Sequence, residues 1–396
     1  MRRRTAVING EFPLLRHSLF WRINVKRATD KAKNTEQKKN FVENIVGTKF
    51  AYIYEGVAKK FAAPKKGTQN FADVREKTYQ VVKRRNYKSY SGWEEIMLKK
   101  DLFIVGAGFM GTGIAQNAAM KGLQVMIYDI SEKQLEKSRN TLEKELTKLF
   151  TRGKITQEDA ENTFNRVQYV SELKLCSKAD VIIEAASENK EIKKQIITEV
   201  DQWAREDAVL ATNTSSISIT TLASCLKNPS RFVGMHFFSP VPKMPLMEIV
   251  RGMKTNEATV KTATEIGEYM GKACILAKDE AGFIVNRMLL PMLNEACCLV
   301  EREVGTIEEI DLGMKKGLNH PMGPLELVDM IGLDVELAVM EVIYEETGDS
   351  KYRPAVLLRR MVDAGYLGRK TGAGFYEYHE DGTRCPNESI FMNAAV

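Results

Sequence analysis

Two titratable residues in the middle of the chain have the types and the spacing of an acid–base pair. His236 follows the apolar segment Phe232–Met235, and Glu248 interrupts the apolar segment Leu246–Val250. A carboxylate inside an apolar strand needs a partner, and His236 is the candidate across the intervening proline-rich loop. A carboxylate bonded to one ring nitrogen fixes the tautomer and stabilises the imidazolium. This pattern predicts a general base for an alcohol proton, although a single histidine is more often a structural residue.

A glycine-rich segment is the second candidate for chemistry. Gly106, Gly108 and Gly111 are spaced as G-x-G-x-x-G, with Phe109 and Met110 at the same turn. The first glycine permits a tight turn, the second lets a pyrophosphate approach the backbone, and the third lets helix and strand pack closely. The N-terminus of the following helix would present free N–H groups to the phosphates. The alternative is a glycine-rich turn that binds no cofactor.

Asp129 extends this pattern toward one dinucleotide. It lies 23 residues after Gly106, at the end of the apolar segment Val125–Tyr128, which is about where a carboxylate meets the adenosine ribose. A carboxylate accepts hydrogen bonds from both ribose hydroxyls and repels a 2′-phosphate, so Asp129 favours NAD over NADP. The nearby Lys133 weakens that discrimination.

The elements that must position these residues are alternating strands and helices. Apolar segments at Leu102–Val105 and Val125–Tyr128 are typical of buried parallel strands, and a helical pattern lies between them. Three later strands end at the same edge of such a sheet, where open α/β sheets bind ligands. This arrangement predicts an α/β Rossmann-type domain that binds a dinucleotide. The residues that follow the three strands are Ala185 and Glu188, then Asn213 and Ser215, and finally His236.

The last third of the chain has helical patterns, which predict an all-α C-terminal domain. A long apolar helix that extends to Val304 contains Pro291, where a kink is expected, and Thr306-x-x-Glu309 has the form of a capping box. Strand character returns only near the end. The other predicted elements are helices at Asp329–Tyr344 and Pro354–Ala364 and a strand at Phe375–Tyr378.

The 396-residue chain has a formal net charge of +6 that is divided unevenly. Residues 1–96 contain 22 Lys and Arg against 9 Asp and Glu, so the rest of the chain is acidic. Charge alone allows a nucleic-acid or membrane role for this basic extension, and Arg2-Arg3-Arg4 suggests a transit peptide, which its scattered acids and scarce serines disfavour. We prefer the hypothesis that it is upstream sequence read in frame. Trp93-Glu94-Glu95 requires purine-rich codons, such as those of a ribosome-binding sequence, just before Met97.

We therefore predict an NAD-binding domain at 97–279, a helical substrate-binding and dimerisation domain at 280–383, and a tail at 384–396. The four histidines lack zinc-site spacing, and the six cysteines lack C-x-x-C pairs, which is typical of reduced thiols in a cytosol-like compartment. No apolar run is long enough to span a bilayer. We expect no metal, no nucleic acid and no membrane partner.

Several longer motifs resemble the L-3-hydroxyacyl-CoA dehydrogenase family, in particular the short bacterial 3-hydroxybutyryl-CoA dehydrogenases. The resemblance extends over about Met97 to Gly382. The matching motifs are Val-Gly-Ala-Gly-Phe-Met-Gly-Thr-Gly-Ile-Ala-Gln, Ala-Thr-Asn-Thr-Ser-Ser, Gly-Met-His-Phe-Phe-Ser-Pro-Val-Pro, Gly-Phe-Ile-Val-Asn-Arg, His-Pro-Met-Gly-Pro-Leu-Glu-Leu and Gly-Arg-Lys-Thr-Gly-Ala-Gly-Phe-Tyr.

The resemblance implies NAD-dependent oxidation of an L-3-hydroxyacyl-CoA and the reverse reduction of acetoacetyl-CoA. It implies that His236 is the catalytic base and Glu248 its orienting partner, that Ser215 and Asn286 polarise the substrate, and that Glu188 and Lys193 line the nicotinamide side of the cleft. It also implies a homodimer formed through the helical domain.

The sequence leaves two points open. Lys148, Arg152 and Lys154 form a basic strip at the end of a predicted helix, which is either a solvated face or a contact for an anionic part of the substrate. The alternative functions are a dehydrogenase of a free hydroxy acid on the same scaffold, such as an L-gulonate 3-dehydrogenase, and a non-catalytic NAD-binding protein.

Overall fold

The computed structural model describes residues 100–390, and the basic extension lies outside this range together with the last six residues. The first part of the described range is a sheet with helices on its faces. Its elements in chain order are β1 (Asp101–Val105), α1 (Phe109–Met120), β2 (Gln124–Tyr128), α2 (Glu132–Thr151), α3 (Gln157–Asn165), β3 (Val167–Val170), β4 (Val181–Glu184), α4 (Lys190–Trp203), β5 (Val209–Thr212), α5 (Ile219–Ala223), β6 (Phe232–Phe237), β7 (Leu246–Arg251), α6 (Glu257–Tyr269) and β8 (Ala273–Lys278).

The eight strands form one sheet in the order β3-β2-β1-β4-β5-β6-β7-β8. Strands β1 to β6 are mutually parallel, β7 pairs antiparallel to β6, and β8 pairs parallel to β7. The strand order changes direction between β1 and β4, which is where such sheets bind ligands at their carboxyl ends. The predicted Rossmann-type domain is therefore confirmed, with two further strands added at one edge.

The second part is a helical domain. Its elements are α7 (Val285–Glu301), α8 (Ile307–Gly317), α9 (Pro324–Ile331), α10 (Leu333–Thr347), α11 (Val356–Asp363) and the short antiparallel pair β9 (Tyr376–Tyr378) and β10 (Arg384–Pro386). A separate apolar core that includes Leu293, Cys297, Met340 and Phe375 holds these helices together. Pro291 lies inside α7, and the capping box of Thr306 and Glu309 is formed as predicted.

The structure corrects three details of the sequence prediction. The helix predicted at Asp329–Tyr344 is two helices, α9 and α10, because Gly332 adopts φ of +104° between them. The strand predicted at Phe375–Tyr378 is formed as β9, but its antiparallel partner β10 lies in the stretch that the sequence assigned to a tail. The strand that carries His236 continues to Phe237, so His236 lies inside β6 and not after it.

Within residues 100–390, no helix is long and apolar enough to cross a membrane. The same range contains no group of three or more His, Cys, Asp or Glu side chains placed to hold a metal ion. All six cysteines are free thiols.

Candidate active site

The glycine turn after β1 is shaped by close backbone packing. Gly106 has φ of +106° and its N–H donates to the Tyr128 carbonyl at 2.8 Å. A Cβ atom on Gly111 would lie 1.8 Å from the Gly106 carbonyl oxygen, so only glycine fits where α1 leaves the turn. A Cβ on Gly108 would meet nothing within 4 Å. The middle glycine thus faces open space at the end of the helix.

The N-terminus of α1 has no side-chain cap, in contrast to the other long helices of this domain. Ser131, Thr156, Asn189 and Asn256 cap α2, α3, α4 and α6, whereas Gly108 stands at the α1 N-cap without a side-chain hydrogen bond. Free N–H groups and the helix dipole favour an anion at that position. The open space and the uncapped helix fit the pyrophosphate of a dinucleotide.

Asp129 is anchored beside this turn. Its carboxylate accepts hydrogen bonds from the Ala107 N–H at 2.9 Å and from the Ser131 N–H at 3.0 Å. Phe109, in the first turn of α1, is 72% exposed. The structure thus brings Asp129, Phe109 and the glycines to one end of the sheet, as a site for the adenosine half of NAD requires.

Glu188 joins the loops that follow β4 and β5. Its Oε1 accepts hydrogen bonds from the Thr214 hydroxyl at 2.6 Å and from the Ser215 N–H at 2.8 Å, and the Ser215 and Ser216 hydroxyls lie within 3.3 Å. Burial alone would raise the pKa of Glu188, but the Lys193 ammonium and these donors outweigh it and hold the pKa below its usual value. Glu188 and Ser215 therefore form one unit.

Lys193 lies behind Glu188 and not at the surface of the cleft. Its side chain is 1% exposed and donates to both oxygens of Glu184, at 2.8 and 3.0 Å, while Glu188 lies 3.3 Å away. Glu184 also accepts from the Thr212 hydroxyl at 2.6 Å. We did not predict Glu184, although it shows the same signal as Glu248, a carboxylate inside an apolar strand.

Ala185 and Asn213 connect neighbouring strand ends. The Ala185 N–H donates to the Val105 carbonyl at 2.8 Å, and the Asn213 side-chain oxygen accepts from the Phe237 N–H at 2.9 Å. The end of β6, which carries His236, is thereby tied to the loop that carries Ser215. These contacts fix the spacing between the predicted cofactor loops and the histidine.

His236 and Glu248 are directly opposite each other on the antiparallel strands β6 and β7. The His236 Nδ1 lies 2.7 Å from the Glu248 Oε2, and the Glu248 side chain is fully buried. The other oxygen, Oε1, accepts from the N–H groups of Ile284 and Val285, each at 3.0 Å. A carboxylate only accepts hydrogen bonds, so a neutral His236 ring facing the Glu248 carboxylate carries its proton on Nδ1, and its Nε2 is left free to accept one.

The two domains meet at this pair. Asn286 follows Val285 directly in the first turn of α7, next to the two residues whose N–H groups contact Glu248. Two aromatic rings pack against the imidazole, with centroid distances of 4.6 Å for Phe238 and 5.7 Å for Phe283. Sequence reasoning assigned no role to Phe283, although this residue lies in the family-like motif Gly-Phe-Ile-Val-Asn-Arg at 282–287.

The predicted basic strip lies at the far end of α2. Lys148, Arg152 and Lys154 are exposed, and Lys148 pairs with Glu145 on its own helix at 3.3 Å. These contacts fit a solvated helix face, so a role for Lys148 and Arg152 in substrate binding stays a prediction.

Comparison with known proteins gives the same architecture. Residues 101–280 match the family model described as the NAD binding domain of 3-hydroxyacyl-CoA dehydrogenase, and residues 282–378 match that of its C-terminal domain. A probable 3-hydroxybutyryl-CoA dehydrogenase of Deinococcus radiodurans is 46% identical over 275 residues, which are 69% of this chain and 99% of the relative. A 3-hydroxybutyryl-CoA dehydrogenase of Bradyrhizobium diazoefficiens is 43% identical over 70% of this chain and 95% of the relative.

Solved structures agree with these matches. The crystal structure of (S)-3-hydroxybutyryl-CoA dehydrogenase from Ralstonia eutropha superposes with a TM-score of 0.69 and 47% identity, and the match covers 71% of this chain and 99% of that one. The aligned relatives are thus matched over nearly their whole length.

Proposed function

Because the chain belongs to the 3-hydroxyacyl-CoA dehydrogenase family, as an NAD-dependent oxidoreductase, we propose that it interconverts L-3-hydroxybutyryl-CoA and acetoacetyl-CoA with His236 and Glu248 as its acid–base pair. The observation that carries this proposal is the 2.7 Å contact between Nδ1 of His236 and a fully buried carboxylate. The short acyl chain is supported by the names of the relatives, four of which are named 3-hydroxybutyryl-CoA dehydrogenases or probable ones at 43–46% identity.

In the oxidation, the free Nε2 of His236 accepts the proton of the 3-hydroxyl group. Glu248 keeps the ring in the required tautomer and stabilises the positive charge that forms on it. NAD, when bound, takes up the hydride from C3 of the substrate. In the reverse direction, protonated His236 donates its proton to the 3-keto oxygen.

Ser215 and Asn286 are proposed to polarise the substrate oxygen. Ser215 belongs to the loop that Glu188 organises, and Asn286 lies in the first turn of α7, the helix that caps Glu248. The two polar side chains therefore come from opposite domains onto a site that both domains build. Such fixed donors stabilise charge where it develops during the reaction.

The decisive experiment measures acetoacetyl-CoA-dependent oxidation of NADH, with NADPH in parallel. We predict that His236→Ala lowers kcat by at least about 100-fold, because general acid–base assistance contributes about 10²–10⁴-fold, with little change in NADH affinity. His379→Ala, the same change at an exposed histidine on the β9–β10 turn, is the control and should remain active. A nearly fully active His236→Ala variant would show that His236 is not the general acid–base residue.

The same assay separates the alternatives. Turnover of a free hydroxy acid without any thioester would favour the L-gulonate 3-dehydrogenase-like function. Tight NADH binding without turnover of either substrate would favour a non-catalytic protein. Running the assay on protein begun at Met1 and at Met97 tests the basic extension, and equal activity would make residues 1–96 dispensable.

We also propose a homodimer formed through the helical domain. Several large apolar side chains of that domain are exposed, which marks a surface for association. A monomeric mass in solution by light scattering would contradict the proposal. The most exposed apolar side chains of the helical domain are Met288 (76%), Val304 (66%), Leu318 (63%) and Leu312 (51%).

The free state of all six cysteines supports a reducing, cytoplasmic location.

A further inference from the structure

Phe283 connects the two domains and contacts the proposed base. Its side chain is 4% exposed, and its ring lies 5.7 Å from the His236 ring at an interplanar angle of 59°. The backbone at Phe283 has φ of +49°, a left-handed conformation that bulky residues rarely adopt. Such a conformation persists only where the surroundings enforce it, and these positions cluster at functional sites.

The same turn also holds the other member of the pair. The two residues after Phe283, Ile284 and Val285, direct their N–H groups at Oε1 of Glu248, while Oε2 of Glu248 faces His236. Three consecutive residues therefore contact both partners, one through an aromatic ring and two through the backbone. The left-handed turn at Phe283 makes this possible because it directs the ring and the following N–H groups to the same site.

The helical domain fixes this turn from behind. Gly282 has φ of +76°, and a Cβ there would lie 2.6 Å from Cδ1 of Ile343 in α10. The Phe283 N–H donates to the Glu280 carbonyl and the Arg287 N–H to the Gly282 carbonyl, each at 2.9 Å. The second domain thus holds the backbone of this turn, whereas the Phe283 ring itself belongs to the apolar core of the sheet domain.

We propose that Phe283 is a positioning residue for the reaction: its backbone lies in the turn that leads into the helical domain, and its ring, buried in the core of the sheet domain, orients His236 and shields its bond to Glu248 from water. The proposal rests on the proposed function of His236. Phe283 itself carries no proton and need not touch the substrate. It acts on the angle at which Nε2 meets the reacting oxygen.

The test is Phe283→Leu, which keeps an apolar side chain at the same backbone position and removes the ring. We expect kcat to fall about 10- to 100-fold, because small misplacements of catalytic groups have effects up to that size, with NADH affinity unchanged. Phe375→Leu is the control, since Phe375 is a fully buried phenylalanine in the other apolar core, that of the helical domain. It should lower the melting temperature and leave kcat of the folded enzyme unchanged.

A double-mutant cycle with Glu248→Gln distinguishes positioning from a structural role. If Phe283 acts through the pair, Phe283→Leu has little further effect once Glu248 is altered, because residues that act as a unit are not additive. Additive losses, or equal losses of kcat in the Phe283 and Phe375 variants, would overturn the inference. Phe283→Met serves in the same cycle if the leucine variant does not fold.

The outcome is separable from that of the proposed function. If His236→Ala retains its activity, His236 is not the catalytic base, whatever the effect of Phe283→Leu. An inactive His236→Ala together with a Phe283→Leu variant that matches its control leaves the proposed function standing and removes only the role of Phe283.

Discussion

Glu248 in the sheet domain and Asp311 in the helical domain are held in the same way. Each carboxylate is buried and accepts two consecutive backbone N–H groups from the start of a helix, Ile284 and Val285 for the one and Leu325 and Glu326 for the other. Each also contacts one ring-bearing side chain. The two carboxylates differ in what that third partner can do.

The third partner of Asp311 is the hydroxyl of Tyr376, at 2.8 Å, whereas that of Glu248 is an imidazole. Burial and the adjacent Asp311 raise the pKa of Tyr376 far above its usual range, so the phenol keeps its proton at any physiological pH. An imidazole exchanges a proton near neutrality. A helix-capping carboxylate therefore stabilises the fold in one domain and, in the proposed function, would support proton transfer in the other.

The largest expected difference between the two sites comes from removing each negative charge. We predict that Glu248→Gln lowers kcat by at least about 100-fold while the fold survives, because the amide oxygen still accepts from Ile284 and Val285. Asp311→Asn is the matched exchange. It should cost about 1–3 kcal/mol of stability and leave kcat of the folded enzyme intact. Melting curves and initial rates across pH measure both effects. Unchanged activity of Glu248→Gln at every pH would show that turnover does not need the charge of Glu248, and the proposed difference from Asp311 would be wrong.

A second test of the comparison adds a methyl group next to another buried carboxylate of the helical domain, that of Asp329. Asp329 accepts the N–H groups of Phe375 and Tyr376, and a Cβ on Gly374 would lie 2.0 Å from its Oδ1. We predict that Gly374→Ala destabilises the enzyme by about 1–3 kcal/mol without slowing the folded enzyme. Gly317→Ala, where a Cβ meets nothing within 4 Å, is the control. Equal melting temperatures for the two variants would contradict this account.

The last expected effect appears only as the pH rises, and it concerns a buried carboxylate. Neither oxygen of Glu336 has a hydrogen-bond partner among residues 100–390, and burial raises its pKa to about 8. Since the pKa is higher in the folded than in the unfolded state, the folded state binds more protons, and stability falls as pH rises from about 5 to about 8.

Glu336→Gln removes this titration. We predict that the variant gains stability over the parent by about 1 kcal/mol for each pH unit in that interval, with equal stability near pH 5. Chemical denaturation at several pH values measures the difference. A difference that stays constant with pH would show that Glu336 is ionised in the fold.

The sequence was informative wherever a residue type carries its own constraint. The glycine spacing, the apolar strands and the capping box at Thr306 follow from local chemistry, and the structure forms each of them. The pairing of His236 with Glu248 was also within reach, because a carboxylate in an apolar strand requires a partner. The functional roles of these residues remain predictions.

What the sequence did not predict depends on contacts between distant segments. Glu184 gave the same signal as Glu248, but its partner Lys193 was assigned to the cofactor cleft on family grounds alone. The break between α9 and α10 was missed because a single glycine in a helical pattern is often tolerated. The left-handed backbone of Phe283 has no signal in the residue type, since bulky residues rarely adopt this conformation.

The register between β6 and β7 has a consequence for the tolerance of the gene to insertions and deletions. Neighbouring residues of a strand point to opposite faces, so a one-residue deletion between Leu246 and Glu248 would turn the carboxylate away from His236 or shift the whole ladder. The loop at 238–245 lies outside this ladder, so its length does not set which residues pair. Natural length variation should therefore be absent from β6 and β7 themselves.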